Sequence, residues 1–142
     1  MNPLHAALAD LTHDDPRHRH LAVEHLGDLL RGPSLDEADA ELAVARLVAL
    51  FTSEADPTVQ ESTLHAIAEA FDRHRLGLPV FEPLHPLLPA MPPNLLEYAL
   101  YVLAATHNPQ TRPMIEAFLQ HPDPTVRRYA AEALTELPGR SS

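Results

Sequence analysis

Five times in this chain an asparagine or aspartate is followed directly by proline: Asn2-Pro3, Asp15-Pro16, Asp56-Pro57, Asn108-Pro109 and Asp123-Pro124. The pair suits one local structure. An Asn or Asp side chain caps the first free N–H groups of a helix, and proline at the first helical position gives up an N–H that had no partner. Five such pairs in 142 residues predict an all-helical chain built from many short helices. Glycine occurs only four times, aromatics are 5% of the chain, and runs of Val, Ile and Thr are nearly absent, which argues against hairpins and sheets. Proline occurs 15 times, double the usual ~5% share.

Length and composition bound the rest. With 142 residues, 45% of them hydrophobic, the chain is expected to form one domain over residues 1–142 with a real core. No apolar run approaches the ~20 residues of a membrane span, and the first ten residues lack a basic segment and a long apolar core. A cytoplasmic location is therefore expected. The absence of cysteine excludes disulfides, thiolate metal sites and a cysteine nucleophile. Ten basic residues, all arginine, face 20 carboxylates for a net charge of −10. Without lysine there is no Schiff-base chemistry and no lysine to grip phosphate, and its absence fits the codon bias of a GC-rich bacterial genome. So acidic a chain repels nucleic-acid backbones and anionic membranes, leaving a basic protein as the expected partner.

Internal repetition sets the architecture. Segments starting at Asp15, Asp56 and Asp123 align without gaps, and a fourth starting at Pro92 aligns but lacks the aspartate. His18, Val59, Leu95 and Val126 share one column; Ala22, Thr63, Ala99 and Ala130 a second; Leu26, Ile67, Leu103 and Leu134 a third. Columns four apart form one stripe of a helix. The starts are 41, 36 and 31 residues apart, room for that helix plus a second helix and two turns.

The stretch Asp123-Pro124-Thr125-Val126-Arg127-Arg128-Tyr129-Ala130-Ala131-Glu132-Ala133-Leu134 resembles the first helix of a HEAT or phycobilin-lyase-type HEAT-like repeat. Residues 56–71 match more loosely, and residues 108–119 resemble the second helix of that family. The family's Asp and Arg positions are both filled at Asp15/Arg19 and Asp123/Arg127, whereas Gln60 and Leu96 stand at the arginine position of the other two repeats. The resemblance covers residues 15–137 and implies an all-α, right-handed α-α superhelix of about four helical hairpins. It also implies that the second helix of each hairpin lines a concave binding face.

About eight helices are expected, over residues 2–11, 15–31, 34–52, 56–76, 79–90, 92–106, 108–120 and 123–137. Ser34 and Glu37 have the spacing of a capping box, and Gly32 and Gly77 are expected to close the second and fourth helices. Pro79, Pro83, Pro86 and Pro89 predict a short, kinked or irregular fifth helix, because an interior proline costs ~3 kcal/mol. The sixth is apolar nearly all round, as an interior helix should be. The first and last each carry a single apolar stripe, which reads as a stack finished at both ends.

Candidate chemistry is sparse. Ten histidines raise the possibility of a metal site. His18 and His25 fall in columns that are apolar elsewhere, so they are expected to point inward or to a helix junction. They are seven residues apart, whereas ligand pairs on one helix sit three or four apart, so satisfied histidines are the favoured reading and no metal or cofactor is expected. They nevertheless anchor the alternative, an enzyme or cofactor-binding protein using the histidine-rich second helix. HEAT-like di-iron hydroxylases present His-Glu dipeptides, of which this chain has none; Glu24-His25 is reversed. HEAT-like DNA-repair glycosylases depend on a basic groove, which the net charge disfavours. No glycine-flanked serine elbow or phosphate-cradling loop occurs, and Ser34 and Ser53 are expected as caps.

The expected function is thus a non-catalytic protein-interaction module, such as an immunity or adaptor protein masking a basic effector. Asp36, Glu37, Asp39 and Glu41 form the strongest charge cluster. Carboxylates in a first helical turn complement the helix dipole, which accounts for Asp36 and Glu37 but not for Asp39 and Glu41. By the resemblance, Asp36, Asp39 and Glu41, with Arg46, Arg112 and Glu116 on the second helices, are expected to contact the partner.

Overall fold

The structure, a computed structural model, describes residues 2–137. Seven α-helices follow one another: α1 (Pro3–Asp10), α2 (Pro16–Arg31), α3 (Glu37–Ser53), α4 (Pro57–Glu69), α5 (Pro93–Ala105), α6 (Thr111–Glu116) and α7 (Pro124–Thr135). A rod of 3-10 turns, Leu78–Ala90, lies between α4 and α5, and shorter 3-10 segments extend α4 (Ala70–Asp72) and α6 (Ala117–Gln120). No strand occurs among the described residues. The expected order of segments is kept, and their ends differ by a few residues.

Four of the five Asx-Pro pairs open helices. Asn2, Asp15, Asp56 and Asp123 accept from the N–H groups of Leu4, Arg17, Thr58 and Thr125 at 2.8–2.9 Å, each with proline next in the chain. The fifth pair does not. Asn108 accepts from Gln110 N–H, but its own carbonyl takes the Thr111 N–H in a tight i→i+3 turn, so α6 opens only at Thr111. The Ser34 capping box does not form either. Asp36, two residues on, caps α3 by accepting from Asp39 N–H at 2.8 Å. Ser53 ends α3 and donates back to the Leu50 carbonyl. Gly32 follows α2 as expected, whereas Gly77 closes nothing: α4 has already tightened into 3-10 turns by Ala70, and Gly77 begins the rod.

The rod follows from a three-residue repeat. Prolines recur at 83, 86 and 89 and apolar residues at Leu78, Phe81 and Leu84, which is the period of a 3-10 helix, where residues i and i+3 lie above one another. Proline in an α-helix clashes with the carbonyl four residues back. The chain keeps its helical sense by winding tighter instead. Phe81, Leu84 and Leu88 are buried, while Pro79, Pro83, Pro86 and Pro89 face solvent.

The elements form two layers. The first helices of the repeats stack side by side, α2 on α4, α4 on α5 and α5 on α7. Opposite them α3 packs on α4 and the rod, and α6 packs on α5 and α7. The result is an all-α solenoid with its core between the layers. The second column is buried throughout, at Ala22, Thr63, Ala99 and Ala130, and the Thr63 hydroxyl is satisfied by donating to the Val59 carbonyl at 2.6 Å. The third is buried at Leu26, Ile67 and Leu103 and only partly at Leu134, on the last helix of the stack.

The turns before α2, α4 and α7 share one device. His13 Nδ1 accepts from Asp15 N–H at 3.0 Å, and Arg19 Nη1 donates to the carbonyls of His13 and Asp14. His121, Asp123 and Arg127 repeat this arrangement. In the second repeat Glu54 takes the histidine's place, accepting from Asp56 N–H, and Gln60 takes the arginine's, donating to the Glu54 carbonyl at 2.8 Å. Glu54 is also buried against Arg19, which donates to it from Nε and Nη2 at 2.7 and 2.8 Å.

Those Arg19 hydrogen bonds outweigh burial and, helped by the Asp56 N–H, hold the Glu54 carboxyl below its ordinary value of 4.5. A depressed folded-state value means the stabilisation is fully present above the unfolded value of 4.5 and is lost as pH falls through the folded value. Glu54→Gln should therefore lower the melting temperature at about pH 7, with the gap to wild type closing as pH falls from 4.5 through the folded value. Equal gaps at both pH values in thermal melts would show that the ion pair does not stabilise the fold.

Candidate functional site

The histidines expected to point inward do not. His18 and His25 are exposed on α2. The equivalent residues of α4, Val59 and Ala66, are buried because α2 packs on α4. Among the described residues only the eight-residue α1 precedes α2, so the outer face of α2 stays open and Leu21 on that face is 63% exposed. His18 stacks on His13 with ring centroids 4.0 Å apart and lies 3.5 Å from Asp15. Among the described residues, no group of three or more His, Asp or Glu is placed to hold a metal ion.

The six residues expected to contact a partner are spread over two hairpins. Asp36 is committed to its cap, Asp39 is half-buried beside it, and Glu41 is exposed on the next turn. Glu37 reaches the buried His74, with its Oε1 3.3 Å from Nδ1. Arg46, exposed on α3, borders a cleft against α1 that also holds Arg19 and Glu54. Arg112 and Glu116 are half-buried on α6, which packs on α5 and α7 rather than on the α3 hairpin.

A more concentrated site lies on the other layer. The first helices α4, α5 and α7 border a groove of about 430 Å³. Glu69 and Asp72 line it from α4 and its 3-10 extension, Glu97, Tyr98 and Tyr101 from α5, and Tyr129, Glu132 and Glu136 from α7 and its end. All three tyrosines of the chain are here, with five carboxylates and no basic residue. Local periodicity explains the grouping. Glu97 and Tyr101 are four apart, as are Glu132 and Glu136, and Tyr129 lies three before Glu132, so each helix presents its set on one face.

The groove's chemistry is acidic and aromatic. Burial, then the charges of Glu61, Glu97 and Glu69, raise the Tyr98 phenol above its ordinary value. Burial, then a hydrogen bond to Glu97, raise that of Tyr129. Both phenols are neutral donors at physiological pH. Arg31 pairs with Glu69 at 2.7 Å and also with Asp28, while His65 Nε2 lies 3.1 Å from Glu69. Arg128 lies 3.8 Å from Glu132 and 5.6 Å from the Tyr129 ring centre. Among the described residues, no basic side chain pairs with Asp72, Glu97 or Glu136. Tyr101 is 45% exposed, one of three large hydrophobic residues on the described surface. The sixth helix of the sequence reading is therefore not apolar all round. The signal that could have located the groove was the confinement of every tyrosine to two first helices, each beside glutamates in register.

A family model described as HEAT repeats matches residues 81–142, covering most of the rod, the α5–α6 hairpin and α7. The fold is similar to the crystal structure of an engineered protein, with a TM-score of 0.66 and 20% sequence identity over 96% of this chain. This chain spans 62% of that protein's length. No curated protein matches the sequence. The later part of the chain thus matches HEAT repeats within an all-α repeat fold, and HEAT repeats generally serve as surfaces for protein–protein interaction. No described helix is long and apolar enough to cross a membrane.

Proposed function

We propose that this chain is a non-catalytic protein-interaction module that binds a basic partner through the first-helix groove, as an immunity or adaptor protein masking a basic effector would. The observation that carries this is the gathering of five carboxylates and all three tyrosines around one cavity with no basic lining, in a chain of net charge −10. Tyrosine supplies a large, rigid contact surface with a hydrogen-bonding tip, and the carboxylates attract a cationic partner from a distance. The same charge repels phosphate backbones.

Two charge-reversal pairs test which layer docks. Asp72→Arg with Glu136→Arg alters the groove, and Asp39→Arg with Glu41→Arg alters the second-helix face. With a partner captured from the source cells, the groove pair should slow association and flatten its salt dependence, because the Debye length falls from ~10 Å at 0.1 M to ~3 Å at 1 M. The second-helix pair should leave the rate near wild type. A reversed outcome would move the binding face to α3, and an acidic or nucleic-acid partner would overturn the reading.

A further inference from the structure

The groove does not end at α7. A second cavity of about 430 Å³ adjoins it and shares Tyr101 and Glu136 as lining residues. Beyond them it is bordered by His74, Arg75, Thr106 and His107. The two halves differ in charge: five carboxylates and no basic side chain in the first, one arginine and two histidines in the second. His74 is 95% buried by its 5% residual exposure, and its Nε2 has no hydrogen-bond partner within the chain. Its other nitrogen, Nδ1, lies 3.3 Å from the Glu37 carboxylate.

Resting on the proposed binding of a basic partner at this same groove, we propose that the occupant is an extended, arginine-bearing segment of that partner. Its guanidinium lies against the Tyr101 ring, with the carboxylates of the first cavity as its acceptors. Several observations favour arginine over lysine. Tyr101 offers an exposed ring at the point where the cavities meet, and a guanidinium stacks on an aromatic face while donating in-plane to carboxylates. A lysine ammonium is more strongly hydrated and lacks the planar fork. The second cavity, with Arg75, takes the uncharged continuation of the segment.

The test uses fluorescently labelled oligoarginine and oligolysine peptides of equal length and charge, titrated against the full chain by anisotropy. Oligoarginine should bind about tenfold tighter than oligolysine, the ratio that a single stacked cation supplies. Tyr101→Ala should remove most of that preference, with some loss of melting temperature because more than half of the residue is buried; Tyr101→Phe should keep it. Asp72→Asn with Glu136→Gln should weaken both peptides alike. Equal binding of the two peptides, or a preference undiminished by Tyr101→Ala, would overturn the arginine assignment while leaving the basic-partner reading intact. No binding of either peptide would overturn both.

Discussion

Leu103→Ala should lower the unfolding free energy by about 2–5 kcal/mol, measured as a shift of the urea midpoint at constant slope. Leu103 is 2% exposed on α5, the helix flanked by α4 on one side and α7 on the other. Truncation there removes apolar burial and leaves a cavity that cannot collapse, because both neighbouring helices are pinned by their own columns. Leu134 occupies the same column one repeat later but is only partly buried. Leu134→Ala should therefore cost less than half as much. Similar losses at the two positions would mean that Leu134 is buried as deeply as Leu103 in the folded protein.

Phe81→Ala should cost about 3–5 kcal/mol, as large as any single core truncation in the chain. Phe81 is fully buried in the 3-10 rod, its ring 5.7 Å from that of Phe71. The rod has few ways to compensate. Its prolines donate no N–H, so its place against α3 depends on the Phe81, Leu84 and Leu88 side chains rather than on a regular hydrogen-bond ladder. By contrast Pro86→Ala, at an exposed position, should shift stability by less than ~1 kcal/mol, mainly through added freedom of the unfolded chain. A loss below ~1 kcal/mol for Phe81→Ala would mean the rod is not part of the cooperative core.

The proposed groove lies on the layer opposite the acidic run that stands out in the sequence. Residues 93–105 read as an interior helix because eleven of the thirteen are apolar, aromatic or proline. The helix is indeed central, but α4 and α7 cover only its flanks, and the strip carrying Glu97 and Tyr101 remains open. The acidic run at Asp36–Glu41 drew notice because its charges are adjacent in the chain. The groove's carboxylates come from three helices spread over residues 69–136, and no linear window contains them. His13 and His121 prove to be turn-forming acceptors, each taking an N–H two residues ahead, and the shared pattern of His, Asp-Pro and Arg was present in the sequence at both sites.

What the sequence by itself determined is local and periodic. Asx-Pro pairs place helix starts because the cap and the missing N–H act within one turn, and the columns of the repeat place the buried stripe because helical spacing is fixed by backbone geometry. Tertiary structure decided which faces are left uncovered. His18 and Val59 share a column, yet one is exposed and the other buried, because only α4 has a first helix stacked on that side. The proline-rich segment became a regular 3-10 rod because α3 offers it an apolar surface on which Phe81, Leu84 and Leu88 can align. The acid–tyrosine groove exists because three first helices converge, bringing like charges together at a cost that no local propensity encodes.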